Sequence, residues 1–139
     1  MKGITALFGA VGLAATMAVG TASAQQQNVQ AQIEDWPRQS QDSAREMLQK
    51  YGQPDVVSSE HLAWENTGPW LRTVVYSYQV DHDFPAPHKD VLEQSIAYNV
   101  PPDMMDEITN FDGSIIVWHT RGTMAARCHA SGRTSSPLT

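Results

Sequence analysis

The residues best suited to chemistry lie in one short segment, DHDFPAPHKD, at positions 81–90. Imidazole and carboxylate groups bind zinc and copper(II), and His82, Asp83 and His88 could converge on such an ion. Two prolines within the segment restrict its backbone and lower the entropy lost on binding. The sequence therefore offers a candidate metal site formed by these three residues, with zinc or copper as the cofactor.

The same segment could instead be a connector that binds no cofactor. The spacing of His82 and His88 matches no standard pair of metal ligands on a helix or a strand, and polar loop residues are usually only solvated. In that interpretation Phe84 packs against the core as an anchor, while the histidines and aspartates keep the outer surface polar. The residue types by themselves favour the connector and leave the metal site as the alternative.

Other catalytic patterns do not occur in the sequence. It contains no G-x-S-x-G, no H-E-x-x-H, no glycine-rich phosphate loop and no C-x-x-C pair. The single cysteine, Cys128, is predicted to be a buried apolar side chain at the end of a strand. Trp64, Trp70 and Trp118 are predicted to belong to the core, although they could also line a ligand groove. These observations favour a protein that is not an enzyme.

The N-terminus has the pattern of a secretory signal peptide. Lys2 precedes an apolar stretch at about residues 4–19, and Ala22-Ser23-Ala24 forms a small-residue cleavage site. Cleavage near Ala24 would release the protein into the periplasm or the extracellular space. No second apolar stretch of about 18 residues follows, so we expect no transmembrane segment in the mature chain.

Length and charge limit the remaining classes. The 139 residues carry a formal net charge of −6, which disfavours binding to nucleic acid or to anionic lipid. Beyond the signal peptide at residues 1–24, the polar, low-complexity residues 25–35 predict a flexible leader, and residues 129–139 predict a disordered tail. A single α+β domain is therefore expected at residues 36–128.

Hydrophobic periodicity predicts two helices and four to five strands within this domain. The first helix ends at Gly52 and has an apolar stripe formed by Ala44, Met47, Leu48 and Tyr51. The second helix follows Pro101-Pro102 and has a stripe formed by Met104, Ile108 and Phe111. Strands are predicted around Leu62–Trp64, Val74–Val80 and Leu92–Val100, and in SIIVWHT and TMAARC. The order α-β-β-β-α-β-β predicts a mainly antiparallel sheet with both short helices packed on one face.

Several short strings carry a resemblance to known proteins. They are WP at 36–37, AREMLQKYGQPD at 44–55, WENTGPW at 64–70, HDFPAPH at 82–88, YNVP at 98–101 and FDGS at 111–114. Together they resemble an uncharacterised family of small exported bacterial proteins, a resemblance that implies export but no activity. The first helix and the tryptophan-bearing hairpin after it are also similar in shape to SmpA/OmlA-type envelope proteins, whose N-terminal anchoring cysteine has no counterpart here.

Two functions from different classes are compatible with these patterns. The first is a non-enzymatic binding or adaptor domain of the cell envelope, in which an exposed sheet edge recruits another envelope protein. The second is a metal-binding or metal-dependent protein that uses His82, Asp83 and His88. The sequence favours the first, because no catalytic constellation is visible.

Overall fold

A computed structural model describes residues 28–83 and 86–128 as an α+β fold. Its six-stranded sheet has the order β1-β2-β3-β4-β6-β5, and every pair of neighbouring strands is antiparallel. The predicted class and the mainly antiparallel sheet are confirmed, with one strand and one helix more than expected. The predicted signal peptide, the predicted tail and Phe84 lie outside the described residues.

The elements have the following bounds. The helices are α1 at residues 28–34, α2 at Arg38–Tyr51 and α3 at Met105–Phe111, with short 3-10 turns at Pro102–Met104 and His119–Arg121. The strands are β1 at Val56–Val57, β2 at His61–Thr67, β3 at Trp70–His82, β4 at His88–Ala97, β5 at Ile116–Trp118 and β6 at Thr123–Cys128. None of the described helices has both the length and the apolar character that crossing a membrane requires.

The hairpin between β2 and β3 shows how local sequence sets the register of the sheet. Asn66 and Gly68 have φ angles of 54° and 66°, which asparagine and glycine tolerate better than other residues. The reversal of the chain pairs Leu62 with Val75. Because side chains alternate along a strand, Leu62 and Trp64 share one face of the sheet with Val75.

The core lies between this face of the sheet, α1 and α2. It is formed by Val29, Ile33, Trp36, Ala44, Met47, Leu62, Trp64, Val75 and Leu92. The side chains of Leu48, Tyr51 and Cys128 pack against this cluster and are partly buried. The indole N–H of Trp64 donates to the carbonyl of Gly52 at 3.0 Å, which satisfies the polar atom of the ring at the end of α2. The predicted stripe of the first helix therefore faces the core.

The prediction of a flexible leader at residues 25–35 is wrong for residues 28–34, which are helical. Val29 and Ile33 in this helix are 1% and 0% exposed. They stand at i and i+4 and so lie on one face of the helix, while the glutamines beside them favour helix formation. Gln32 also donates its amide to the carbonyl of Ser58. A segment rich in glutamine is ordered because two correctly spaced apolar side chains reach the core.

The second helix does not pack as predicted. No residue of α3 is buried, and Met104 and Phe111 are 43% and 57% exposed. The apolar spacing correctly predicted a helical turn, but a helix of seven residues after a 3-10 turn covers little surface. The helix that accompanies α2 in the core is α1 instead.

The prediction of buried tryptophans holds for only one of the three. Trp64 is buried, whereas Trp70 is half-buried and Trp118 is exposed on the edge strand β5. The guanidinium of Arg121 lies 3.9 Å from the ring centre of Trp118, a cation–π contact that an exposed indole can make.

The predicted burial of one face along β3 fails in its second half. Val74 is buried, but Tyr78 and Val80 are exposed. The pairing between β3 and β4 changes register between Val75 and Val80, so that strict alternation of buried and exposed side chains is lost there.

Candidate metal centre

The register of the β3–β4 hairpin brings two candidate residues and a third, unpredicted one together. Beyond the register change, β3 pairs Val80 with Asp90, Asp81 with Lys89 and His82 with His88. His88 and Asp90 are two residues apart on β4 and so lie on one face, and a directly paired residue such as His82 shares the face of its partner. His82, His88 and Asp90 therefore project to the same side of the hairpin.

The three side chains are in contact around the Asp90 carboxylate. Nδ1 of His82 lies 3.1 Å from Oδ2 of Asp90, and Nε2 of His88 lies 3.1 Å from Oδ1. The two imidazole rings have their centres 4.6 Å apart. One ligand atom from each residue fits within a cluster in which all separations are at most 4.8 Å. Asp90 is 5% exposed, so the carboxylate is nearly removed from water.

The sequence prediction named Asp83 as the carboxylate of this group, whereas the carboxylate that lies beside both histidines in the structure is that of Asp90. Asp83 is exposed and lies outside the cluster, because it follows the last residue of β3. The signal that would have identified Asp90 is the spacing His-x-Asp within a strand, which puts both side chains on one face. Recognising it required knowing that β4 begins at His88.

The second nitrogen of each imidazole also faces an oxygen. Nδ1 of His88 lies 2.8 Å from the carbonyl oxygen of Ala86. Because a carbonyl oxygen can only accept, His88 Nδ1 carries the proton and donates it. Nε2 of His82 lies 4.0 Å from Oδ1 of Asp112, a residue of the turn after α3.

A positive charge near the Asp90 carboxylate would stabilise these contacts. In a neutral His88 whose proton is on Nδ1, the lone pair of Nε2 faces Asp90 Oδ1 across 3.1 Å, and two lone pairs repel at that distance. In the part of the chain that the structure describes, no donor makes a hydrogen bond of normal geometry to this buried oxygen. A cation between the imidazole nitrogens and the carboxylate would remove the conflict.

Basic side chains do not supply that charge in the described structure. The ammonium of Lys89, next to Asp90 in sequence, pairs with Asp81 on the exposed surface. Burial, followed by the negative charges of Asp90 and Glu46, raises the pKa of the Cys128 thiol to about 11. Two carboxylates, those of Asp90 and Glu46, therefore act on the same thiol, and negative charge of this kind favours a bound cation.

Two of the separations are close to those in a zinc site. Zinc binds nitrogen and oxygen ligands at about 2.0–2.2 Å in tetrahedral arrangement, so two ligand atoms on one ion are about 3.3 Å apart. The two nitrogen–oxygen distances of 3.1 Å, each to a different oxygen of Asp90, are close to this value. The separations among one ligand atom from each residue are at most 4.8 Å, so the side chains would move closer together when an ion binds. Two imidazoles and one carboxylate are also suitable ligands for copper(II). If the carboxylate binds through one oxygen, the three protein ligands leave a fourth position on a tetrahedral ion for water or another group.

Other histidines and a surface cleft are weaker candidates. His61 contacts the hydroxyl of Ser58 at 3.1 Å, and His119 is exposed. A cleft of about 510 Å³ between α2 and β3 is lined by Arg38, Gln39, Asp42, Ser43, Glu46 and Gln79. All six are polar or charged residues, whereas small-molecule sites are usually lined by hydrophobic and aromatic side chains. The cluster at the end of the hairpin is therefore the strongest candidate site.

No protein-family model, curated protein sequence or solved structure matches this chain. The resemblance to a family of exported proteins therefore stays a prediction from short strings, and the site is argued from its geometry alone.

Proposed function

We propose that this protein binds one divalent transition metal ion, best suited to zinc, through His82 Nδ1, His88 Nε2 and the Asp90 carboxylate. The observation that carries the proposal is that both oxygens of a nearly buried carboxylate lie 3.1 Å from an imidazole nitrogen. A proton could satisfy one of these contacts. A single divalent ion satisfies both and also offsets the buried negative charge.

Metal binding at this site is compatible with export of the protein. The predicted signal peptide supports export, since Lys2, the apolar stretch and Ala22-Ser23-Ala24 have the pattern of a cleavable signal. The ligands lie on two paired strands rather than on a free loop, so little backbone entropy is lost when the ion binds. The function supported best is metal binding, with one coordination position open to water or to a ligand brought from outside.

Zinc binding by the purified chain tests this proposal. The chain, prepared without an affinity tag and freed of metal with a chelator, should take up one equivalent of zinc with a Kd of about 1 μM or tighter in a competition titration. His88→Ala and Asp90→Asn should each weaken binding by more than about 100-fold, because each removes a direct ligand. His119→Ala, which removes an exposed histidine outside the cluster, should bind like the wild type. Equal binding by His88→Ala and His119→Ala would refute the assignment.

An adaptor function in the cell envelope is the second candidate. It is favoured by β5, an edge strand that pairs only with β6 among the described strands and exposes Ile116 and Trp118. An apolar edge of this kind can accept an extended segment of another envelope protein. Metal content separates the candidates: a chain that retains and takes up no metal would leave the adaptor function as the better explanation.

A further inference from the structure

We propose that Asp112 is the outer carboxylate of the metal centre: it accepts the Nε2 proton of His82 and thereby holds Nδ1 of that ring toward the ion. This inference rests on the proposed metal site and adds a residue from a separate segment of the chain. It also predicts that the affinity of the site for the metal ion depends on the position of the turn after α3.

The contacts of His82 support this assignment. Its Nδ1 lies 3.1 Å from Asp90 Oδ2, on the side where the ion would bind, and its Nε2 lies 4.0 Å from Asp112 Oδ1. Asp112 is largely shielded from solvent, with 15% of its side chain exposed. The separation of 4.0 Å exceeds a direct hydrogen bond, so the contact needs a shift of about 1 Å or a bridging water.

His88 provides an internal comparison. Its Nε2 faces Asp90, and its Nδ1 donates to the carbonyl of Ala86 at 2.8 Å. In both rings, therefore, one nitrogen points to the shared carboxylate and the other points to an acceptor. Histidines that bind metals usually donate their second N–H to a carboxylate or a carbonyl, which fixes the tautomer and the ring orientation.

The turn that carries Asp112 holds its carboxylate in place. Oδ1 accepts the backbone N–H of Ser114 at 2.8 Å and the Ser114 hydroxyl at 2.6 Å, and the backbone N–H of Asp112 donates to Ile108 at the end of α3. The oxygen nearest to His82 is thus already oriented by two donors. Since α3 itself buries no residue, the link from Asp112 to His82 would join this segment to the β3–β4 hairpin.

The alternative is that Asp112 only stabilises its own turn. Asp112→Asn keeps an oxygen that can accept from Ser114 and removes the negative charge, so it separates stabilisation of the turn from the charge that Asp112 contributes beside the His82 ring. Asp106→Asn removes the same charge from an exposed position of α3 and serves as the matched control. Thermal melting of the metal-free variants would verify that both fold.

The full chain should show a selective effect on metal binding. We expect Asp112→Asn to bind one equivalent of zinc about 10–100-fold more weakly than the wild type, with Asp106→Asn unchanged. Zinc should also slow hydrogen exchange of the amides at residues 112–115 in the wild type and do so less in Asp112→Asn. Equal zinc affinity of the two variants would overturn the role of Asp112 while leaving the metal site intact, whereas a wild type that binds no zinc would overturn both.

Discussion

Truncation of Ile33 tests whether the glutamine-rich N-terminal helix belongs to the core. Ile33 is fully buried and packs in one cluster with Val29, Trp36 and Trp64. Ile33→Ala removes three carbon atoms, which amounts to about 2.4 kcal/mol of lost transfer free energy at about 0.8 kcal/mol for each. The cavity left behind adds to this, so we expect a loss of about 3 kcal/mol in the free energy of unfolding.

The assay is thermal and urea unfolding of the full chain. For a domain of this size, a loss of about 3 kcal/mol lowers Tm by more than about 10 °C. Glu34→Ala, in the same helix but exposed, is the control and should change the free energy of unfolding by less than about 0.5 kcal/mol. Equal melting temperatures for the two variants would show that residues 28–34 do not pack on the sheet.

Two further outcomes follow from burial. Burial is the main cause that raises the pKa of the Cys128 thiol to about 11. At pH 8.5 the thiol of the native chain should therefore react with an alkylating reagent on the order of 100-fold more slowly than the thiol of the chain unfolded in urea. Similar rates in the two states would mean that the thiol is exposed. Phe111→Ser should change the free energy of unfolding by less than about 0.5 kcal/mol because Phe111 is exposed, and a loss of several kcal/mol in urea unfolding would show that α3 packs as its apolar stripe suggested.

The elements that could be predicted from the sequence are those with a long, regular pattern. The stripe of Ala44, Met47 and Leu48 predicted α2, and alternation predicted β2 and the first half of β3. The pattern could not reveal α1, where Val29 and Ile33 are the only large apolar residues, because their burial depends on a groove formed by distant residues. It was misleading for α3, since periodicity indicates a helix but not whether a surface lies beneath it.

The candidate site was partly predictable for a similar reason. Residue types identified His82 and His88, but their proximity depends on the register of β3 and β4 after an irregularity. That register also places Asp90, and not Asp83, beside the two histidines. The spacing of residues along a presumed loop does not reveal this. Asp112 was beyond prediction, because α3 and the turn after it approach the hairpin only in the folded chain.

X-ray absorption of the zinc-loaded chain tests the central claim most directly, because it reports the atoms bound to the ion. We expect a first shell of nitrogen and oxygen atoms only, at about 2.0–2.1 Å, with the outer-shell scattering of two imidazole rings. His88→Ala should retain at most one imidazole. Sulfur at about 2.3 Å would assign the ion to Cys128, and a shell without imidazole would contradict the site at His82, His88 and Asp90.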